Sequence, residues 1–202
     1  MIIIECDQYS DEYWQHKLGK PSSSNFGKIL TPTGSISKQA KGYMYELAAE
    51  AVTGKREDSY YNNHMEKGLE REEESRKLYE FLFDVEVEEV GVVYPDERKD
   101  RLCSPDGLIN REYGLEMKNP ISKTQVSYLV DGGLPLKYKP QVQGSLMITG
   151  FDRWDFYSHY PGLPLHIVEC ERDEKYIKLL KEAVDEFVDG LEKVVEKLKE
   201  KK

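Results

Sequence analysis

Cysteine is scarce in this chain. Of 202 residues, only Cys6, Cys103 and Cys170 are cysteines, odd in number and far apart, with no CxxC pair and no zinc-ligand spacing. That excludes a disulfide framework and a zinc-finger fold, and implies a reduced, cytosolic protein with ordinary buried thiols. Long apolar runs are also missing. No stretch approaches the roughly 20 residues of a membrane-spanning helix. The opening Met1-Ile2-Ile3-Ile4-Glu5-Cys6-Asp7 has neither the basic n-region nor the apolar run of a signal peptide. No repeat, low-complexity tract or Pro/Ser-rich linker marks a boundary, so residues 1–202 are read as one domain. Basic charge is in deficit, with 29 Lys and Arg against 38 Asp and Glu, a formal net charge of −9. This counts against a simple DNA-coating protein, because phosphate binding is driven largely by Lys and Arg. It does not exclude a nuclease, since the mean charge says nothing about where the charges sit.

What is present centres on one string, Ser104-Pro105-Asp106-Gly107-Leu108-Ile109, followed by Leu115-Glu116-Met117-Lys118. In a strand, residues i and i+2 share a face, so Glu116 and Lys118 point one way while Leu115 and Met117 point the other. Asp106 on the preceding strand can join them. Two hard oxygen donors suit Mg²⁺, and a neighbouring ammonium suits a phosphate or an activated water. The pattern predicts metal-dependent cleavage of a phosphodiester. Because 33% of residues are charged, a D…ExK string also arises by chance, and the surrounding sequence has to carry the argument.

The periodicity predicts helices over Ser10 to Lys17, capped by Ser10, and a second short one capped by Ser22-Ser23-Ser24-Asn25 and ending near Leu30. A third runs from about Ala40 and stops at Gly54. The next spans about Asn63 to Phe83, where Met65, Glu72, Tyr79 and Phe83 fall on one stripe at roughly 100° per residue. Glu72 is a carboxylate in the middle of that inward face. It is either part of a site or a stripe-edge Glu paired with Arg76 at i+4. Strands follow at Val85 to Val93, Leu102 to Ile109 and Tyr113 to Lys118, the last two joined by a turn at Asn110-Arg111-Glu112. Helices are expected at Ser122 to Val130 and Pro135 to Thr149, then strands at Arg153 to His159 and Leu165 to Glu171. A long amphipathic helix closes the chain from Tyr176 to Leu198. Its lysine-rich end, Lys197 to Lys202, reads as a solvated terminus with cations near the negative pole of the helix dipole. The order describes an α/β or α+β fold, a sheet covered by helices.

These residues resemble the phage lambda exonuclease and YqaJ-type viral recombinase family, within the PD-(D/E)xK nuclease superfamily. The resemblance covers nearly the whole chain. It includes Trp14 to Gly19, Ser22-Ser23-Ser24, Leu47 to Gly54, Glu72, and Arg76 to Phe81. It continues through Cys103 to Leu108, Gly114 to Pro120, Gln141-Val142-Gln143 and Glu171 to Tyr176. It implies a single lambda-exonuclease-like domain with a restriction-endonuclease-like core, a mixed central sheet flanked by helices. It implies that Asp106, Glu116 and the backbone carbonyl of Met117 hold Mg²⁺, with Glu72 helping to hold a second metal or its waters, and with Mn²⁺ able to substitute. Lys118 would orient or deprotonate the attacking water, and Gln141 and Tyr138 match the family's helix glutamine and its preceding tyrosine.

The same resemblance suggests a 5′-phosphate pocket from Ser24, Ser104, Gln141 and, for the family's arginine, Lys17. The run between Trp14 and Gly19 is shorter here, and a lysine gives a point charge instead of a bidentate fork. Met65 matches an apolar residue that wedges the duplex end apart, or is simple core packing on its stripe. The activity implied is a Mg²⁺-dependent 5′→3′ exonuclease on linear double-stranded DNA. It would leave 3′ single strands for an annealing partner in phage-type recombination, act as a ring-shaped homotrimer on DNA ends, work without a membrane, and be encoded by a phage or prophage in the cytoplasm of a bacterial host. Two rivals stand beside it. One is a structure-specific endonuclease of the same superfamily, CRISPR-type adaptation nucleases being disfavoured by the lack of a fourth cysteine. The other is a catalytically idle DNA-end-binding subunit, against which the intact Asp106, Glu116 and Lys118 set argues.

Overall fold

The computed structural model describes residues 1–56 and 71–201. The expected start of the fourth helix, and with it Met65, lies outside the described residues. The elements in chain order are β1 (Ile2–Ile4), α1 (Asp11–Lys17), a 3₁₀ helix (Ser23–Lys28), α2 (Ala40–Thr53), α3 (Glu72–Phe83), β2 (Val87–Glu88) and β3 (Val92–Tyr94). They continue with β4 (Gly107–Ile109), β5 (Tyr113–Lys118), α4 (Ser122–Asp131), a 3₁₀ turn (Leu136–Tyr138), α5 (Lys139–Thr149), β6 (Arg153–Ser158), β7 (His166–Glu171) and α6 (Glu174–Lys199). Five strands form a sheet in the order β2-β4-β5-β6-β7, and β1 pairs with β3 apart from it. Within the larger sheet only β5 and β6 run parallel; the other neighbours are antiparallel. Among the described residues no helix is long and apolar enough to cross a membrane.

The register of the parallel pair assigns the two faces of the sheet. Gly114 lies opposite Trp154 and Glu116 opposite Phe156. With a strand period of two, Glu116 and Lys118 therefore share a face with Trp154 and Phe156, and Leu115 and Met117 share the other with Asp155 and Tyr157. Helix α5 covers the first face, packing Val142 and Leu146 against Trp154 and Phe156. Helix α3 covers the second, packing Tyr79 with Leu115, Met117 and Tyr157. A larger core lies between α2 and α6, where Tyr43 and Leu47 meet Leu180, Val184 and Phe187. Helix α6 begins where Asp173 accepts a hydrogen bond from the Tyr176 backbone N–H at 3.0 Å, a side-chain N-cap.

Gly114 is required by a close approach. A Cβ there would fall 2.4 Å from the ring of Trp154, which is fully buried. Gly114→Ala should therefore destabilise the fold by about 1–3 kcal/mol, the usual cost of overpacking. Urea unfolding monitored by tryptophan fluorescence checks this; an unchanged midpoint would show that the ring has room to yield.

Several elements differ from expectation, each for a local reason. The run Val85 to Val93 is two strands in two sheets, because Gly91 passes so close to residues 4–6 that its N–H donates to the Ile4 carbonyl at 3.0 Å. A Cβ at Gly91 would sit 2.2 Å from Cys6 Sγ. Pro105, which has no N–H for a ladder, separates the bridge residues Leu102 and Cys103 from β4. Pro140 moves the start of the sixth expected helix to Lys139, since proline fits only the first turn. The Ser22 side chain does not cap its helix, which is 3₁₀. Ser10 does cap α1, accepting from the Tyr13 N–H at 3.2 Å. Strand β1 had no counterpart in the sequence reading.

Candidate active site

Asp106 immediately precedes β4 and extends its pairing, its N–H donating to the Leu115 carbonyl at 3.1 Å. Its carboxylate accepts from the Met117 N–H at 2.6 Å. This locks Asp106 across the hairpin from Glu116, whose side chain is almost wholly buried. The Lys118 ammonium donates to Glu116 Oε1 and lies 4.0 Å from Asp106 Oδ2. The three residues read from the sequence as a unit are thus brought together, with Glu116 and Lys118 on one face as the strand period requires.

Glu72 stands in the first turn of α3. Arg76 lies 3.6 Å from it and also meets Glu89 at 2.8 Å. The i,i+4 pair anticipated as an alternative is therefore present, but Glu72 is not confined to it. Burial, then the charge of Asp106, push its carboxyl up to about 7, against the opposing pull of Arg76 and Lys118. Burial likewise pushes Glu116 up to about 7, with Asp106 adding to the shift and Lys118 and a hydrogen bond from Gln141 opposing it. Burial alone would weaken the Lys118 proton, yet Glu116 and Asp106 override it and hold the amine well above its ordinary range. Lys118 is also 5.6 Å from the centre of the Tyr138 ring.

Asp106 repels both Glu72 and Glu116, which are largely desolvated, and hard oxygen donors of this kind suit Mg²⁺. Among the described residues no three acidic, imidazole or thiol groups converge closely enough to enclose a metal ion as they stand. The cation that Asp106 and Glu116 share here is the Lys118 ammonium. The donor chemistry fits a divalent ion.

The four residues expected at a 5′-phosphate fall into three local networks. Lys17 Nζ donates to the Tyr13 hydroxyl at 3.0 Å. That hydroxyl is 3.1 Å from Ser104 Oγ, which itself donates to the Gly91 carbonyl at 2.8 Å. Ser24 is exposed and hydrogen-bonded to Ser22 at 2.9 Å. Gln141 engages Glu116, one turn ahead of Ser145, which reaches Ser23 at 3.1 Å.

Three residues near the site were not anticipated. Tyr13 is the link between Lys17 and Ser104, and its i,i+4 spacing to Lys17 was an available signal. Gln8 pins the turn before Asp106, its amide donating to the Val90 and Pro105 carbonyls at 3.0 and 2.8 Å; nothing in the sequence announces contacts so distant. Tyr9 has φ +68°, with its ring tilted against Tyr13 and edge-on to Trp14. Its hydroxyl proton is held tightly by burial and by the negative field of Glu72 and Asp106. Tyr9 and Glu72 both line a cleft of about 830 Å³ whose wall is acidic, with Glu5, Asp7 and Glu89.

Solved structures resemble the chain over nearly its whole length. The alkaline exonuclease LHK-Exo of Laribacter hongkongensis is 28% identical, with a TM-score of 0.86 and coverage of 95% of this chain and 97% of that one. A complex of LHK-Exo with dAMP matches equally well, at 29% identity and the same TM-score and coverage. A phage-related exonuclease from Haemophilus somnus 129PT shares the fold, at 17% identity and a TM-score of 0.65, over 89% of this chain and 96% of its own. The Escherichia coli (strain K12) protein ExoD is 36% identical over 61 residues, 29% of this chain and 70% of its own length. These likenesses place the mixed sheet and its helices in the PD-(D/E)xK fold and support a nuclease role. The model of the YqaJ-like viral recombinase domain matches residues 12–152, which takes in Lys17, Glu72, Asp106, Glu116, Lys118 and Gln141, and the chain belongs to that family.

Proposed function

We propose that this chain is a Mg²⁺-dependent 5′→3′ exonuclease on linear double-stranded DNA, leaving 3′ single strands for strand-annealing recombination. The observation that carries the reading is the Asp106, Glu116 and Lys118 cluster at the β4–β5 hairpin, with Glu72 in the first turn of α3 within its electrostatic reach. Asp106, Glu116 and the Met117 carbonyl would hold the metal ion, with Glu72 at a second ion or its waters; Mn²⁺ would substitute. A bound ion of this type polarises the phosphoryl oxygen and makes its water more acidic. Lys118, beside both carboxylates, would orient or deprotonate the attacking water and act on charge developing on the phosphate. The test is a comparison of linear with covalently closed duplex, with and without Mg²⁺. Digestion of the closed form would favour a structure-specific endonuclease, and binding of ends without cleavage an idle subunit.

We propose further that Lys17, Ser24, Ser104 and Gln141 grip the 5′-terminal phosphate. A charge-assisted contact contributes about 1.5–3 kcal/mol, so duplexes with a 5′-phosphate should be digested about tenfold faster than those with a 5′-hydroxyl. Lys17→Ala should shrink that ratio, and so should Gln141→Ala. Equal rates on both ends for the wild-type protein would remove the pocket and leave these side chains to the local networks described above.

The partners proposed are duplex ends, two further copies of the chain, and a single-strand annealing protein, in the cytoplasm of a host bacterium. A chain of net charge −9 binds a polyanion poorly by itself. A closed cyclic trimer concentrates its basic groups on one inner surface around the substrate. Light scattering should therefore give three times the 23.5 kDa chain mass, and a challenge with trap DNA should leave digestion of an engaged molecule uninterrupted. A monomer that still degraded long DNA in one encounter would overturn the ring and leave the metal site standing.

A further inference from the structure

The helix that carries Glu72 is fastened to the sheet by groups that the proposed chemistry does not use. Ser75, one turn after Glu72, is completely buried. Its hydroxyl donates to Asn119 Oδ1 at 2.5 Å and lies 3.1 Å from His159 Nδ1. A serine hydroxyl has one proton, so with that proton on Asn119 the second bond runs from the imidazole Nδ1–H to Ser75 Oγ. Asn119 directly follows Lys118. His159 follows Ser158, which stands opposite Lys118 in the parallel β5–β6 register, and the His159 N–H donates to the Lys118 carbonyl at 3.0 Å. One buried hydroxyl therefore joins α3 to the ends of both strands at the catalytic lysine.

Among the described residues the outset of α3 has one further contact of this kind, the Arg71 guanidinium 5.3 Å from the centre of the Tyr160 ring. Arg71, the N-cap residue of the helix, makes no side-chain capping bond. Arg76 draws Glu72 sideways toward Glu89, and Glu72 and Asp106 repel each other. One turn beyond Ser75, the Tyr79 hydroxyl donates to Asp155 Oδ2 at 2.6 Å, which anchors the middle of the helix but not its start.

We infer that Ser75, Asn119 and His159 form a latch that fixes the Glu72 carboxylate relative to Asp106, Glu116 and Lys118, so that Ser75 is a positioning residue acting through Glu72. The inference rests on the reading of Glu72 as part of the cation-holding set. A shift of about 1 Å in a supporting group can lower turnover by about 10². Ser75→Ala should therefore reduce kcat on a 5′-phosphorylated linear duplex at least tenfold, with KM for the duplex within about twofold of wild type.

A double-mutant cycle separates positioning from general stability. In a Glu72→Ala background, Ser75→Ala should cost nothing more, because the residue it positions is gone. Ca²⁺ titrated calorimetrically into the DNA-free protein should bind several-fold more weakly to Ser75→Ala. Tyr79→Phe, which loosens the same helix lower down, should lower the melting temperature yet leave kcat and Ca²⁺ affinity at wild-type values. If Ser75→Ala does not fold, Asn119→Ala and His159→Asn go through the same cycle. Equal losses in both backgrounds, an unchanged Ca²⁺ affinity, or a Tyr79→Phe variant that matches Ser75→Ala would each overturn the latch. Absence of metal-dependent cleavage by the wild-type protein would instead overturn the nuclease reading, and the Ca²⁺ titration would still decide the latch.

Discussion

Asp106→Ala or Glu116→Ala is expected to abolish cleavage, to below roughly a few per cent of wild-type turnover, while binding to duplex ends largely persists. Each change removes a proposed metal ligand and leaves the phosphate contacts in place. The two variants differ in what else they disturb. Asp106 accepts from the Met117 N–H at 2.6 Å, so alanine also leaves a backbone donor of β5 without its partner. Asp106→Asn keeps an oxygen for that bond and loses only the charge. Equal inactivity of the Ala and Asn variants assigns the effect to the ligand and not to the hairpin. Glu116 is almost wholly buried with the Lys118 ammonium on it, and Glu116→Gln makes the matching comparison. Single-turnover digestion of a labelled linear duplex, with binding measured in Ca²⁺, reads both quantities. Turnover above that level by the Asp106→Asn or the Glu116→Gln variant would remove that carboxylate from the centre.

Lys118→Ala is expected to lower turnover by about 10² or more, the range for loss of a group that acts on a proton or on developing charge. In the DNA-free protein Glu116 and Asp106 raise the hold of Lys118 on its proton above that of an isolated amine. Ca²⁺, with its looser coordination, should occupy the site and support little cleavage. Rates in Ca²⁺ equal to those in Mg²⁺, or a Lys118→Ala variant as fast as wild type, would show that neither the metal geometry nor the ammonium limits the reaction.

The proximity of Asp106, Glu116 and Lys118 was legible because the parts of the candidate site obey local periodicity. Glu116 and Lys118 differ by two in a strand, Asp106 sits one short turn away, and Glu72 shares a helical stripe with Tyr79, which is completely buried. The five-stranded mixed sheet and most helices follow from the same patterns. What sequence spacing could not deliver are contacts whose partners lie far apart. Gln8 meets Val90 and Pro105 across 82 and 97 positions, and Ser75 meets His159 across 84. The break within Val85 to Val93 was hidden in a run of good strand formers, where only Gly91 hints at it. Two other boundaries were open to reading: Pro105 and Pro140 both lack the N–H that a continuous ladder or a longer helix would need.

The contacts made by residues 2–8 bear on the order in which the molecule assembles. The β4–β5 hairpin that presents the carboxylates closes over a few residues, an event of about 1–10 μs for an isolated hairpin. Pairing of Ile2–Ile4 with Val92–Tyr94 encloses a loop more than tenfold longer, and its entropic cost comes before any contact rewards it. Topologies of this kind fold slowly. The hairpin is therefore expected to form well before Gln8 pins Pro105, leaving a stage in which the catalytic strand is built but the turn leading into Asp106 is still unsecured.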